Sequence, residues 1–507
     1  MTTRLPKNMI VMVSAGVLGI ASSLVAQPAA GPLTIQGLDQ FTIAGVRSRA
    51  MGGTNIAVCN DASSLFSNPA ALSLLPSAEI RASGFFQSSS REQTQQWVPL
   101  KNLPDISVLF EGLSGTIKTP VDITGTPLSA WSTLHKQYDA IGPNWNTSSS
   151  ATQPLSLVGA LPLKLADFDI VAGVGISQVI NLDHYFKNNN AMTPYLGNER
   201  PYGQWSKPLD TLHVKWYQYL RSRDGSVYGV TPGISVNVLP GLTVGGSATL
   251  LSGTSDDLEQ RVERGNLTFA INQGEAKDYM VDTVYYYQTK KGTSTLTGTT
   301  FTIGLLFQQP RYSVGLTVKP PMTLSRSWDR DVTNIDTTRK PIPVRIDDQP
   351  RRSFHESGKD DLKFPLAYSI GIMLKPTDKW TVAFDYEVRN LAEAEVTAQS
   401  VSTSTRPWVN NKAAMRFGAE YRVSDMLALR SGYREDIQAF SPDGSSIVDN
   451  PASGDIYSFG AGFKVGFILI DFAYEYSILK YQDIYQSNAN YNTRQQHQVM
   501  VECAYRF

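Results

Sequence analysis

The sequence predicts an all-β protein: a 14-stranded antiparallel transmembrane β-barrel with a small N-terminal hatch inside its lumen. Only 18% of the 507 residues are charged, below the ~25% of ordinary soluble domains. Most of the chain alternates between apolar and polar residues, as strands with one apolar and one polar face do. Short turns also alternate with long polar stretches, an asymmetry typical of bacterial outer-membrane barrels. Together these observations predict strands that face lipid on one side and a lumen on the other.

Residues 1–26 read as a secretory signal peptide. Arg4 and Lys7 precede an apolar stretch that runs to Ala26, which is the order of a signal sequence. The alternative is a permanent N-terminal anchor helix. No later segment offers ~18 uninterrupted apolar residues, so we expect no transmembrane helix in the mature chain.

Residues 27–76 are predicted to form the hatch, or plug. This stretch does not alternate and is rich in small residues and turn formers. We expect Asp61 to cap a short helix over 62–66, and Pro69 to turn the chain before the barrel begins. A fourteen-stranded barrel is wider than its own side chains can fill. A plug of small residues would keep such a lumen from leaking.

Residues 77–507 are predicted to form the barrel with its long extracellular loops. In the segment from Trp380 to Arg389 every second residue is apolar and the residues between are mostly polar, so one face is apolar and the other polar. Fourteen such spans are expected, an even number as this class requires. The spans are 77–90, 153–164, 168–184, 225–239, 242–253, 297–309, 311–321, 364–375, 379–390, 412–423, 426–436, 455–465, 467–478 and 496–507.

The polar faces of the later spans carry charges of both signs. We interpret these charges as cross-strand ion pairs that also hold the hatch, and binding of a polar solute is the alternative. They are Asp385, Glu387, Arg389, Arg416, Glu420, Arg422, Arg430, Arg434, Asp471 and Glu475.

One short region resembles a known family. The run 48–53 reads Ser-Arg-Ala-Met-Gly-Gly, Asp61 and Ala62 follow, and 68–70 reads Asn-Pro-Ala. This region resembles the N-terminal hatch of the long-chain fatty-acid transporter (FadL) family, in which a signal peptide, a hatch and a fourteen-stranded barrel follow one another. The resemblance implies passive uptake of hydrophobic compounds, such as long-chain fatty acids or hydrocarbons, across the outer membrane.

The resemblance also implies roles for individual residues. By motif match, Asn68, Pro69 and Ala70 would form the hinge between hatch and barrel, and Gly52 and Gly53 would be turn positions. The family's wall opening near the third strand points to two further residues as a possible opening. These are Gly173 and Gly175, for which ordinary barrel curvature is the alternative.

Other functions remain open or are disfavoured. PorV-like barrels of the type IX secretion system share the N-terminal signature, so a secretion-associated or structural barrel that binds secreted proteins is the alternative. A general diffusion porin is disfavoured because a plug would block it. The sequence contains no catalytic motif, cofactor site or metal-ligand spacing. Its 45 basic residues are balanced by 45 acidic ones, so it lacks the excess of positive charge that nucleic-acid binding requires.

The expected partners follow from this location. They are a hydrophobic small molecule, outer-membrane lipid, and the barrel assembly machinery through the terminal aromatic Phe507. We expect a monomer. A bridge between Cys59 and Cys503 is not expected, because alternation places Cys503 on the lipid side and Cys59 in the plug.

Overall fold

The structure is a computed structural model, and some segments lie outside what it describes. The predicted signal peptide and Cys59 are among those segments. The described residues are 33, 35–58, 60–97, 144–165, 168–197, 210–272, 275–282, 286–336, 351–398, 403–406, 408, 413–439, 452–485 and 488–507.

Twenty strands run through the described residues. Their bounds are β1 (Glu79–Trp97), β2 (Trp145–Leu165), β3 (Phe168–Asn181), β4 (His184–Gly197), β5 (Asp210–Leu239), β6 (Leu242–Asn272), β7 (Glu275–Asp282), β8 (Tyr286–Gln308), β9 (Tyr312–Lys319), β10 (Met322–Asp336), β11 (Arg351–Phe364), β12 (Ala367–Leu374), β13 (Trp380–Arg389), β14 (Glu395–Ala398), β15 (Thr403–Thr405), β16 (Ala414–Arg422), β17 (Leu427–Ile437), β18 (Ser453–Val465), β19 (Ile468–Tyr485) and β20 (Asn488–Arg506).

These strands form one closed antiparallel barrel. Six of them continue a neighbouring strand across a short interruption, as β10 continues β9, so the described strands occupy fourteen positions around the wall. The wall closes where β1 pairs with β20 over its whole length, from Glu79 opposite Arg506 to Trp97 opposite Asn488. The predicted antiparallel β-barrel and its number of strands are therefore confirmed.

The long polar stretches differ from the loops that we expected. β5 and β6 contain 30 and 31 residues, whereas a spanning strand needs only ~10. Both strands continue outward, paired from Leu239–Leu242 to Asp210–Ile271. The pairing continues because alternation and β-favouring Thr, Tyr and Val persist beyond the membrane. At the opposite end the connections are short, and Gly241 there adopts a positive φ of 80°.

The outward face of the wall is apolar and exposed. On β8, Phe301 and Ile303 are each 54% exposed, and Leu305 and Phe307 continue the same face. An exposed apolar band of this kind is compatible with lipid and not with water. The terminal Phe507 is also exposed, and its backbone N–H donates to Ala78 O at 3.0 Å, beside the closure of the barrel.

The N-terminal segment, defined as residues 35–58 and 60–75, lies against inward-facing residues of the wall. It contains a helix α1 (Val46–Ala50) and two 3-10 helices, Ala62–Phe66 and Pro69–Leu74. The Asp61 side chain accepts from Ser63 N, as the sequence predicts for a cap of 62–66. Among the described residues, no helix is long and apolar enough to span a membrane.

Candidate ligand-binding lumen

A ring of wall glycines lets the N-terminal segment approach the strands closely. A Cβ on Gly245 would overlap Ala70 N, and a Cβ on Gly432 would overlap Gly52 N. Only glycine leaves room for backbone to lie this near. The ring also includes Gly175, Gly233, Gly304, Gly315, Gly371, Gly418 and Gly460, each within contact of the segment.

The side chain of Asn68 forms hydrogen bonds with three parts of the molecule. Its side-chain oxygen accepts from Ala70 N at 3.2 Å and so caps the helix that begins at Pro69. Its amide nitrogen donates to Ile56 O at 2.7 Å and to Leu305 O of the wall at 3.2 Å. The Asn-Pro-Ala motif therefore lies where the segment meets β8, and its role as a hinge stays a prediction.

Gly52 and Gly53 both adopt left-handed backbone, with φ of 68° and 85°. This conformation is readily available only to glycine. Gly52 N also donates to Ser458 Oγ at 2.9 Å, which fixes the turn against β18. The sequence placed a turn here, and the structure adds the wall contact.

Two arginines of α1 pair with wall carboxylates. Arg47 Nε lies 3.0 Å from Glu420 Oε2, and Arg49 pairs with Glu475. The same carboxylates also pair with wall arginines, Glu420 with Arg430 at 2.7 Å and Glu475 with Arg434 at 2.5 Å. The interpretation of the lumenal charges as ion pairs that contact the segment agrees with this geometry.

The remaining predicted charges take different positions. Asp385 Oδ2 accepts from Asn55 N at 2.6 Å and from Ile56 N at 3.1 Å, so it binds backbone rather than an arginine. Glu387 pairs with Arg389 and Arg416. Asp471 pairs with Arg430 at 2.6 Å and with Arg81 at 3.3 Å. Arg422 is exposed near the short turn at 423–426 and lies outside this network.

Above these charges, on the β3–β14 side, the lumen contains an apolar layer. Three residues of the N-terminal segment fill its centre: Ile35, Leu38 and Phe41. The Phe41 ring lies 5.5 Å from Phe364 and 4.2 Å from the Arg389 guanidinium carbon. The wall contributes Ile180, Leu182, Val227, Leu251, Leu296, Leu324, Leu362, Phe364, Leu391, Val396 and Trp408.

Sequence reasoning missed this layer, although a signal exists. On β8 the inward positions are mostly Ser, Thr and Gly, and Leu296 is an apolar residue at one of them. Leu324 and Leu362 are likewise apolar residues at inward positions of β10 and β11, which also carry Arg326 and Asp360. Only the registers of the strands show that these residues come together: Leu324 lies opposite Leu362, and Leu296 lies diagonally next to Leu324, opposite Arg326.

Two polar layers enclose the apolar one. On the outer side, Arg223 pairs with Asp257 at 2.8 Å and donates to Gln36 O, while Leu33 N donates to Glu259 at 2.6 Å. On the inner side, a cavity of about 90 Å³ is lined by hydroxyls. The wall hydroxyls that line it are Ser177, Thr231, Thr249, Thr300, Thr302, Thr317 and Ser369.

Among the described residues, three cations line the same hydroxyl cavity: Lys319, Arg389 and Arg416, together with Glu387. Glu387 pairs with both arginines, whereas Lys319 is different. In the described part of the chain, no carboxylate lies within ion-pairing distance of its ammonium group. A second cavity, of about 220 Å³, lies beside β13–β20 and is lined largely by polar residues, among them five arginines and five acids of the described chain. Within the described residues, the apolar layer therefore has a cation without an ion-pair partner directly beneath it.

The wall is continuous at the predicted opening. Gly173 and Gly175 pair with Ala160 and Val158 on one side, and β5 continues the sheet on the other. The pairing of β2 with β3 ends at Ser177. Beyond it, β3 is irregular between Gln178 and Ile180, and the N-terminal segment pairs with it instead through a bridge from Phe41 to Ile180.

Comparisons with known proteins agree with this architecture. The structure is similar to that of a FadL homologue from Pseudomonas aeruginosa, with 12% identity, a TM-score of 0.53, and coverage of 92% of this chain and 98% of that one. It is also similar to the toluene transporter TodX of P. putida, with 14% identity, a TM-score of 0.53, and coverage of 93% and 99%. At such identities these likenesses show the fold alone. No curated protein sequence matches significantly.

A match to a protein-family model shows to which family the chain belongs. The model described as outer membrane protein transport protein (OMPP1/FadL/TodX) matches residues 232–505, more than half of the chain. The chain therefore belongs to the FadL/TodX family of outer-membrane proteins that transport hydrophobic compounds.

Proposed function

We propose that the protein mediates passive uptake of hydrophobic compounds, such as long-chain fatty acids or hydrocarbons, across the outer membrane. The observation that carries this proposal is the apolar layer between two polar ones. Burying apolar surface there contributes about 25 cal/mol per Å², which favours transfer of an apolar solute from water into this layer.

The N-terminal segment occupies the place that a ligand would take. Ile35, Leu38 and Phe41 fill the apolar layer, so a ligand must displace them. Their displacement would break backbone hydrogen bonds between the N-terminal segment and β3, because Thr42 N donates to Val179 O at 2.9 Å and Asn181 N donates to Gln40 O at 3.0 Å. We therefore place the proposed wall opening at 178–181, just beyond Gly173 and Gly175.

The role of residues 27–76 as a hatch belongs to the same proposal. The glycine ring and the two arginine pairs hold the segment across the inner part of the lumen. A polar solute then has no wide path, and an apolar one leaves through the wall. The hinge role of Asn68, Pro69 and Ala70 is supported by their contacts with β8.

The nature of the ligand depends on the cation below the apolar layer. An ammonium group attracts a carboxylate and not a hydrocarbon. Lys319 lines the hydroxyl cavity, where it would meet the head of an acid whose chain occupies the apolar layer. This arrangement favours a fatty acid over a neutral aromatic compound.

Equilibrium binding of radiolabelled oleate to the purified barrel in mild detergent tests the proposal. F364A and W408A remove buried aromatic surface from the apolar layer, so each should weaken oleate binding about tenfold or more. W380A is the control, because Trp380 is 45% exposed on the outward face. Unchanged binding in both layer variants would reject the site. A barrel that binds no lipid and instead captures a secreted protein would favour the secretion-associated alternative.

A further inference from the structure

Beyond the lipid-facing part of the wall, four paired strands carry a polar surface on their outward side. The registers of β6, β8, β10 and β11 place outward residues opposite one another in rows. We call this surface the hydroxyl face. Its three rows are Asp256, Thr293, Asp329 and Ser357; Thr254, Thr295, Ser327 and Lys359; and Ser252, Thr297, Ser325 and Asp361.

The hydroxyl face lies at the height of the outer-leaflet head groups. On β8 the exposed apolar residues end at Phe301, and Thr297 follows four residues further out. That separation is about 13 Å along the strand. Four strands and three rows cover roughly 14 by 14 Å at the usual spacings, an area that fits a pair of sugar rings.

Three acids of this region, Asp329, Asp331 and Asp361, already have partners, whereas Asp256 and the lysines have none among the described residues. His355 contacts Asp329 at 2.9 Å and Asp331 at 3.2 Å, and Ser325 Oγ donates to Asp361 at 2.6 Å. Three lysines stand exposed on the same outward side. For Lys291, Lys359 and Lys363, no carboxylate among the described residues lies within ion-pairing distance.

The opposite side of the wall is different in chemistry. There the outward residues at comparable positions are aromatic, with Tyr433 5.5 Å from Tyr457 and Tyr476 5.1 Å from His497 between ring centroids. Rings of this kind suit the boundary between lipid and water. The combination of a hydroxyl grid with unpaired lysines therefore marks one side of the barrel within the described strands.

We propose that the hydroxyl face is a docking surface for the phosphorylated sugar head group of lipopolysaccharide. Serine and threonine hydroxyls both donate and accept hydrogen bonds, as sugar hydroxyls do. An ammonium group is a strong donor to phosphate, and the three unpaired lysines complement the negative charge of the head group. Lipopolysaccharide is the lipid that a protein in the outer membrane meets at this height.

Binding of purified lipid A to the full-length barrel in mild detergent, followed by native mass spectrometry, tests this proposal. The triple variant K291Q/K359Q/K363Q should bind lipid A at least about tenfold more weakly, which corresponds to about 1.4 kcal/mol. T295V/S327A keeps the lysines and should weaken lipid A binding while leaving phosphatidylglycerol binding unchanged. K480Q is the matched control, since Lys480 is an exposed lysine on β19 of the opposite side.

Three results would overturn the proposal. These are unchanged lipid A binding in the triple variant, an equal loss for phosphatidylglycerol in both variants, and an equal loss in K480Q. The first would remove the site, and the other two would show general attraction to anionic lipid. The heat-induced shift in gel mobility checks that each barrel is folded. If the triple variant fails this check, the single variants K291Q, K359Q and K363Q carry the same comparison.

Discussion

Asp385 is expected to be the main anchor that holds residues 42–58 against the wall. Its Oδ2 accepts from Asn55 N and Ile56 N, at 2.6 Å and 3.1 Å, and the side chain is fully buried. A hydrogen bond to a charged group contributes about 1.5–3 kcal/mol. Replacing Asp385 by alanine leaves both N–H groups without this acceptor, so local opening of the segment should become about 3–6 kcal/mol easier.

Hydrogen–deuterium exchange of the barrel in nanodiscs measures this quantity. Exchange rates of protected amides report the free energy of local opening, so D385A should speed exchange across 42–58 by roughly 10²–10⁴-fold. D385N keeps an acceptor but loses the charge, and its effect should be smaller. D378N is the control, because Asp378 is an exposed acid whose ion pair with Arg311 lies at the surface.

Two outcomes would refute this reasoning. Unchanged exchange at 42–58 in D385A would mean that other contacts, such as the glycine ring, hold the segment without Asp385. An equal increase in exchange across the wall strands would mean that the substitution damages the barrel rather than releasing the segment.

Three further predictions concern the wall, the ligand and the outer surface. G432A should destabilise the folded barrel by about 1–3 kcal/mol, because the added methyl group would overlap the backbone of the N-terminal segment. G246A is the control and should be neutral, since nothing lies within 4 Å of its Cβ position. Urea unfolding in detergent compares the stability of the two variants. K319M should weaken oleate binding about tenfold and leave toluene binding unchanged, and equal effects on both ligands would contradict a head-group role. Hydrogen bonding with Asp331, and then the charge of Asp329, raises the pKa of His355. The ion pairs are therefore complete below the ordinary histidine pKa of about 6.5, as long as the aspartates stay ionised, and they are lost as pH rises through the raised pKa. D331N should move the NMR-measured pKa back towards 6.5, and no movement would contradict the assignment.

The sequence by itself determined the architecture of the wall. Alternation with period two in segments such as Trp380–Arg389 is local information, because neighbouring residues point to opposite faces whatever the rest of the chain does. The asymmetry between short and long connections predicts which end of the barrel faces outward. The small residues of 48–53 and the Asn-Pro-Ala motif likewise marked the segment that lies within the wall.

Only the tertiary structure decided how far the strands extend and where the apolar layer lies. Polar alternating residues beyond the membrane look like loops in the sequence, and pairing partners distant in the chain make them strands, as between β5 and β6.

The apolar layer depends on register in the same way. Leu296, Leu324 and Phe364 come from strands far apart in sequence, and a shift of one residue in any strand would turn its side chain to the lipid. The contacts of Asp385 and Lys319 follow from the same long-range arrangement. A site made of single residues from many strands leaves no contiguous motif, so its position is a property of the closed barrel.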